Sequence, residues 1–452
     1  MHHQDDIISR VKHITSLFNP PSVPAEYRRN FIHLYFDIAW YGLLAGSAVN
    51  FLTVYAARLG ASGLQIGLLG ALTAAVNLVL AIPAGRWLEK RSVDKAIFWT
   101  AAAYRAGYIA WVFLPFIFGA NSQGEIWALI FINFLMGIPL TVVGLGFNAL
   151  FAAAVPSEWR AHVAGTRNVV LSVTFILTSL VSGYILDRAA FPLGYQIVFL
   201  IGVVGGAMSS FHLWFVRPLP RPDSRAEQAS HEPVSPLSEP ESASPASPAP
   251  GTVPVSRATS PRESIRASLR LDILKSPFRA VLLVMFAFHL SQFLAIPLFP
   301  IAYVRSLRLT DEHIGIGTAI FYLTVLVGST QLNRLVRRAG HKNITGWGVM
   351  GMAVYPFLLA LSSTVWHFYG LSALGGLAWA LAGGAYANYL LENIPENDRP
   401  AHLAWYTIVL NACTLLGSLA GPAIAEWIGL SAALILFGAL RGLAGFAILR
   451  WG

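Results

Sequence analysis

LGASGLQIGLLGALTAAVNLVLAIPAGRWLEKRSVDK, Leu59 to Lys95, reads as a polar turn, a membrane-crossing helix and a basic loop. A weaker copy begins at Leu307: Ile66-Gly67 recurs as Ile314-Gly315, Leu78-Val79 as Leu326-Val327 and Arg86 as Arg334, all at one offset. The helix start recurs too. Ser62 with Gln65, and Thr310 with His313, each set a hydroxyl at an N-cap position with a polar side chain three residues on. Only the first has the residue types of a capping box. Two copies of one helix and loop imply a duplicated membrane architecture.

Composition sets the class. Hydrophobic residues make up 55% of 452, charged residues 12%, and mean hydropathy is +0.59. A soluble domain carries about twice that charged share. The apolar runs are far too long for barrel strands, so the expected fold is an all-α polytopic membrane protein. Spans of roughly 20 residues are predicted near 31–57, 64–85, 96–118, 126–150, 161–186 and 194–216. A second six follow near 278–304, 313–333, 343–362, 366–390, 401–426 and 430–450. The two copied loops must face the same side, because six helices separate them, so the repeat is parallel.

The net charge of +9 sits in short loops beside the membrane and is not read as a nucleic-acid footprint. Arg86, Lys90, Arg91, Lys95, Arg160, Arg167, Arg334, Arg337, Arg338, Lys342 and Arg399 fall in loops assigned inside. Only Arg58, Arg188, Arg305 and Arg308 fall in loops assigned outside, which puts both termini in the cytoplasm. Ala161-His162 and Ala401-His402 echo each other at a shorter offset, attributed to a longer outer loop at Asn121–Gly124 than at Ser362–Ser363.

The expected domains are a cytoplasmic N-terminal segment, 1–30, a first six-helix bundle, 31–217, a linker, 218–276, and a second bundle, 277–452. Ile7, Val11, Ile14 and Phe18 would share one face of a surface helix, with a frayed tail as the alternative. Asp5, Asp6 and Glu26 argue against a cleavable signal peptide. Residues 218–264 are rich in Pro, Ser, Ala and Glu and lack aromatics, so they read as a disordered cytoplasmic tether. Residues 265–275 read as a surface helix. One cysteine, Cys413, rules out a disulfide framework.

Two parallel six-helix bundles, a central linker and a basic loop after helices 2 and 8 resemble the major facilitator superfamily (MFS). Its loop signature runs Gly-x-x-x-Asp-Arg-x-Gly, followed by bases. The first copy keeps Gly85 and an acid, Glu89, then Lys90, Ser92 and Lys95. The second has Asn333, keeps Arg337 and Gly340, and continues with Arg338 and Lys342. The resemblance implies 12 transmembrane helices and transport by alternating access. The signatures of proton-driven drug export fit poorly: Asn133 replaces the arginine four residues before Gly137. Gly417, Gly421 and Pro422 fall on helix 11 rather than helix 5, where close packing is the favoured reading.

Candidate site residues follow from the cost of polar groups in a bilayer. Asp37 lies about 9 Å into helix 1 at 1.5 Å per residue, with His33 and Tyr41 on the same face. It is a candidate proton carrier, or one half of a structural ion pair with Arg105 on helix 3. Asn168, Ser172, Ser179 and Ser182 on helix 5, with Asn411, Thr414 and Ser418 on helix 11, either meet substrate or bond between helices. His289 and Gln292 lie one turn apart on helix 7. Trp40, Phe147, Phe288, Trp379 and Tyr386 offer aromatic walls. A cytoplasmic gate is read from Gly85, Glu89, Lys90 and Arg91, with Lys90 and Arg91 meeting Glu392, Glu396 or Asp398 and Arg337 and Arg338 meeting Glu158; solvated loop charges that only set topology are the alternative.

These readings predict a secondary transporter for a small, moderately polar or amphipathic organic solute, with protons as a candidate coupling ion. A monomer in the cytoplasmic membrane is expected. No Gly-x-x-x-x-Gly-Lys-Ser/Thr or His-Glu-x-x-His segment occurs, so neither an enzyme nor a cofactor or metal is expected. The alternative is a non-transporting receptor or assembly partner of the same fold.

Overall fold

The computed structural model describes residues 25–119, 121–219 and 270–452. The expected N-terminal surface helix, most of the tether and residues 265–269 lie outside them. Leu219–Ser276 forms a unit of its own; its described part holds one short 3-10 turn, Leu271–Lys275, beside an Arg270–Asp272 ion pair.

The main unit is helical throughout. The first half comprises α1 (Tyr27–Arg58), α2 (Gly63–Glu89), α3 (Val93–Phe118), α4 (Ser122–Ala154), α5 (Arg160–Arg188) and α6 (Leu193–Leu213). The second comprises α7 (Phe278–Ser306), the helical stretch Asp311–Leu359, α10 (Val365–Glu392), α11 (Arg399–Ile428) and α12 (Leu430–Trp451). Asp311–Leu359 is two spans. Gly340, at φ 78° and ψ 160°, breaks it into α8 (311–339) and α9 (341–359), a backbone shape that only glycine adopts freely. The glycine of the loop signature is therefore the turn itself. In the first copy the turn takes three residues, Lys90 to Ser92, and needs no glycine.

The duplication is visible in the backbone. Ser62 Oγ accepts from Gln65 N–H at 3.2 Å, and Gln65 Oε1 accepts from Ser62 N–H at 2.8 Å, a full capping box. Thr310 Oγ1 accepts from His313 N–H at 3.2 Å. Two residues before each cap the chain turns through positive φ, at Gly60 (90°) and Arg308 (48°).

Two boundaries differ from expectation. Asn121–Gly124 is the cap and first turn of α4, with Asn121 Oδ1 accepting from Gly124 N–H at 3.1 Å. Arg167 is buried two turns inside α5 rather than solvated in a loop.

The halves meet along two helix pairs, α2 with α11 and α5 with α8. The duplicated Ile-Gly sits at both crossings. A Cβ on Gly67 would lie 2.0 Å from the Ser418 carbonyl oxygen, and one on Gly315 2.7 Å from that of Ser179. Pro422 lacks the N–H that would bond the Ser418 carbonyl in α11, which leaves that oxygen facing α2. Small residues let the backbones touch where apolar solvent gives no hydrophobic drive. Gly417 and Gly421 serve a crossing within the second half, against Phe293 and Leu294 of α7.

Candidate functional site

Asp37 is the centre of the first half and is 2% exposed. Its carboxylate accepts from Ser209 Oγ of α6 at 2.6 Å and from Arg167 of α5 at 3.1 Å. Arg105 of α3 stands farther away, at 3.9 Å. Arg167 also donates to the Leu34 carbonyl at 2.6 Å and stacks on Phe147 of α4. Arg105 donates to Ser210 Oγ at 2.9 Å and lies over the rings of Tyr41 and Tyr104. Asp37 thus ties α1 to α3, α5 and α6, and Arg167 extends the cluster to α4. Glycines allow it: a Cβ on Gly205 would meet α1 backbone at 2.8 Å. The expected partner, Arg105, is present, but the nearer one is Arg167, which the sequence places among the loop bases. Its signal is position, seven residues after Arg160 with the apolar run of the span beginning at Val169.

His33 turns away from Asp37: its Nδ1 meets Nδ1 of His212 at 3.0 Å, and the ring stacks on Phe215. His289 Nε2 pairs with the Tyr406 hydroxyl of α11 at 2.9 Å. Asn411 joins the halves. Asn77 Nδ2 of α2 donates to its Oδ1 at 3.2 Å, while Asn77 Oδ1 accepts from Thr141 of α4 at 2.6 Å. Of the helix-5 hydroxyls, Ser179 crosses to the Gly315 carbonyl at 3.3 Å, and Ser172 bonds back to Asn168. Asn133 donates to the Leu69 carbonyl at 2.8 Å and only packs helices.

The two ends of the molecule differ. At the end bearing the 1–2 and 7–8 turns, Arg58 pairs with Asp311 at 3.0 Å and caps the Leu309 carbonyl at 2.6 Å. Arg305 caps Ala61 at 2.5 Å, and Arg188 meets Glu312 at 3.3 Å. An apolar core of both halves, including Phe51, Tyr55, Leu298 and Ile301, fills this end. At the basic-loop end a core around Phe31, Ile97 and Val163 draws on the first half alone. Among the described residues, Lys90, Arg91, Arg337 and Arg338 form no ion pair between halves. Glu392 takes His341 at 2.6 Å, Glu396 takes Arg399 at 3.3 Å, and Arg91 lies over Trp87. Glu89 is exposed, and a Cβ at Gly85 would meet open space.

A cavity of about 340 Å³ lies within the second half, lined by Gln292, Tyr322, Met352, Tyr355, Trp379 and Arg441 among others. Gln292 and Trp379 are among the residues the sequence singles out. Arg441 of α12 is not, although a lone arginine deep in an apolar span is signal enough.

The sequence profile of the Major Facilitator Superfamily matches residues 38–287 and 281–452. The chain belongs to the major facilitator superfamily. Solved structures of this superfamily's fold match nearly end to end. A D-xylose–proton symporter superposes with a TM-score of 0.67 at 15% identity, covering 94% of this chain and 97% of that one. A bacterial homologue of the iron transporter ferroportin, in an inward-facing state, gives 0.66 at 15%, covering 95% and 99%. The nucleoside transporter NupG gives 0.62 at 13%, covering 93% and 98%. At such identities the likeness is one of fold. The Multidrug resistance protein MdtG of Erwinia billingiae (strain Eb661) is 29% identical over 117 residues, 25% of this chain and 28% of that protein. As an MFS protein the chain is a multi-pass membrane protein with a transporter fold.

Proposed function

We propose that this chain is a secondary transporter that moves a small organic solute across the cytoplasmic membrane by alternating access. The asymmetry between its ends supports this reading most strongly. One end is sealed by ion pairs, carbonyl caps and a shared apolar core; at the other, among the described residues, the loop bases Lys90, Arg91, Arg337 and Arg338 pair with no acid of the opposite half. Rocking one half on the other about α2/α11 and α5/α8 would exchange the two conditions. The excess of bases at the basic-loop end supports a cytoplasmic position for it and for both termini.

On this reading the Arg58–Asp311 and Arg188–Glu312 pairs are the outer latch. The inner latch forms only in the opposite state, when Lys90 and Arg91 of the loop between Gly85-to-Glu89 and α3 reach Glu392, Glu396 or Asp398. Arg337 and Arg338 reach Glu158 in the same movement. Asn411, His289, Gln292 and Tyr41 supply the polar groups facing solute. Asp37, tied to Arg105 and Arg167, keeps the first half rigid, and proton coupling runs through this cluster and His33. The name of the partial relative, a multidrug resistance protein, favours an amphipathic organic solute.

The test is a thermal-shift screen of purified protein against sugars, organic acids, amino acids, nucleosides and lipophilic cations. Each hit is followed by flux into proteoliposomes with and without a pH gradient. A ligand at 100 times its dissociation constant stabilises by about 2.7 kcal/mol. Hits that bind but never cross the bilayer would overturn transport.

A further inference from the structure

The two halves bury arginine differently. In the first, Arg105 and Arg167 share Asp37. In the second, Arg441 is 2% exposed and has no carboxylate. Its contacts are carbonyls: Nη1 donates to Met352 at 3.2 Å, and Nη2 to Ser291 at 3.4 Å and Gln292 at 3.2 Å. The Met352 oxygen is free to accept because Pro356, four residues on, has no N–H. Arg441 Nε has no partner, nor does Gln292 Oε1, and both residues line the same cavity.

The acids of this half are engaged or distant. Asp311 faces Arg58, Glu312 faces Arg188, Glu392 faces His341, Glu396 faces Arg399 and Asp398 faces His402. Glu426 is exposed at the far end of α11. A buried guanidinium remains always charged, and a buried charge without an opposite one is costly. Carbonyl dipoles offset only part of that cost. The cavity's volume falls within the usual range for small-molecule sites, and its walls are largely aromatic.

We propose that this cavity binds an organic monocarboxylate. The carboxylate takes the unpartnered Arg441 Nε–H, a hydroxyl or amide N–H of the ligand donates to the unpartnered Gln292 Oε1, and the apolar body lies among Tyr322, Tyr355 and Trp379. This rests on the transporter reading and names its solute class: one cation suits one negative charge. The site belongs to the second half alone and does not use Asp37.

Binding of benzoate and 4-hydroxybenzoate to full-length protein in detergent is compared with that of the corresponding neutral amides by calorimetry. The expected result is binding of the acids and none of the amides. Arg441→Gln weakens acid binding about 30-fold or more, as loss of one partner of a buried charged contact does. Gln292→Ala, which leaves Arg441 and its helix contacts in place, weakens 4-hydroxybenzoate more than benzoate; it carries the test if Arg441→Gln does not fold. Failure of both acids to bind wild type, equal binding of acid and amide, or full retention in both variants overturns the proposal. Arg441-dependent binding without flux would keep the site and remove transport. Flux of a neutral solute unaffected by Arg441→Gln would keep transport and remove the site.

Discussion

Breaking the Arg58–Asp311 pair should tilt the balance between the two conformations. Arg58 donates through Nε and Nη2 to Asp311 at 3.2 and 3.0 Å and through Nη2 to the Leu309 carbonyl at 2.6 Å. The side chains are 25% and 10% exposed. An exposed pair is worth about 0–1 kcal/mol, and breaking a fully buried one costs about 3–5 kcal/mol. This half-buried pair with a third contact falls near 2 kcal/mol by that scale. Arg58→Met keeps the stem but leaves Asp311 shielded from water without its cation. When the end opens, Asp311 is hydrated and the cost disappears, so the variant favours the opposite state about 30-fold. The assay is a spin-label distance between Ser92→Cys, in the loop before α3, and Asn397→Cys, in the turn before α11, in a Cys413→Ala background. The expected result is growth of a short-distance population, partly reversed by the charge swap Arg58→Asp with Asp311→Arg. An unchanged distribution in Arg58→Met, or no recovery in the swap, would refute the latch.

Gly67→Ala should act like a wedge: its methyl would lie 2.0 Å from the Ser418 oxygen, and overpacking of this kind costs about 1–3 kcal/mol. A lowered unfolding temperature and the same shift in the Ser92–Asn397 distance are expected. Asp37→Asn leaves two buried guanidinium groups without a counter-charge, at a cost of about 3–5 kcal/mol, read as a large fall in unfolding temperature; solute accumulation unchanged at every pH would end its proposed part in coupling. Charge reversal at Lys90 should reduce the short-distance population by removing an inner latch contact, and an unaltered ratio would count against that latch. Deleting residues 222–262 should leave flux largely intact, whereas silent transport would favour the receptor alternative.

The sequence by itself determined the spans, their number, the parallel duplication and the turn chemistry, because each rests on neighbours in the chain. Twenty apolar residues must be helical in lipid. Ser62 and Gln65 close their capping box within one turn, and the glycine of the loop signature, Gly340, breaks the helix where it stands. The same locality misplaced Arg167 and Asn121, since a helix end depends on what lies across from it. Only the tertiary structure decided which charges are paired. Asp37 chose Arg167 over Arg105 because α5 approaches α1 more closely than α3 does. Gly67 and Gly315, legible as a repeat, became the crossings between halves only once α11 and α5 were laid against them. Arg441 stands out in sequence as a lone arginine in an apolar span, but that its charge is unpaired follows only from the packing of α12 against a proline-freed carbonyl of α9, with every acid of that half engaged elsewhere or distant.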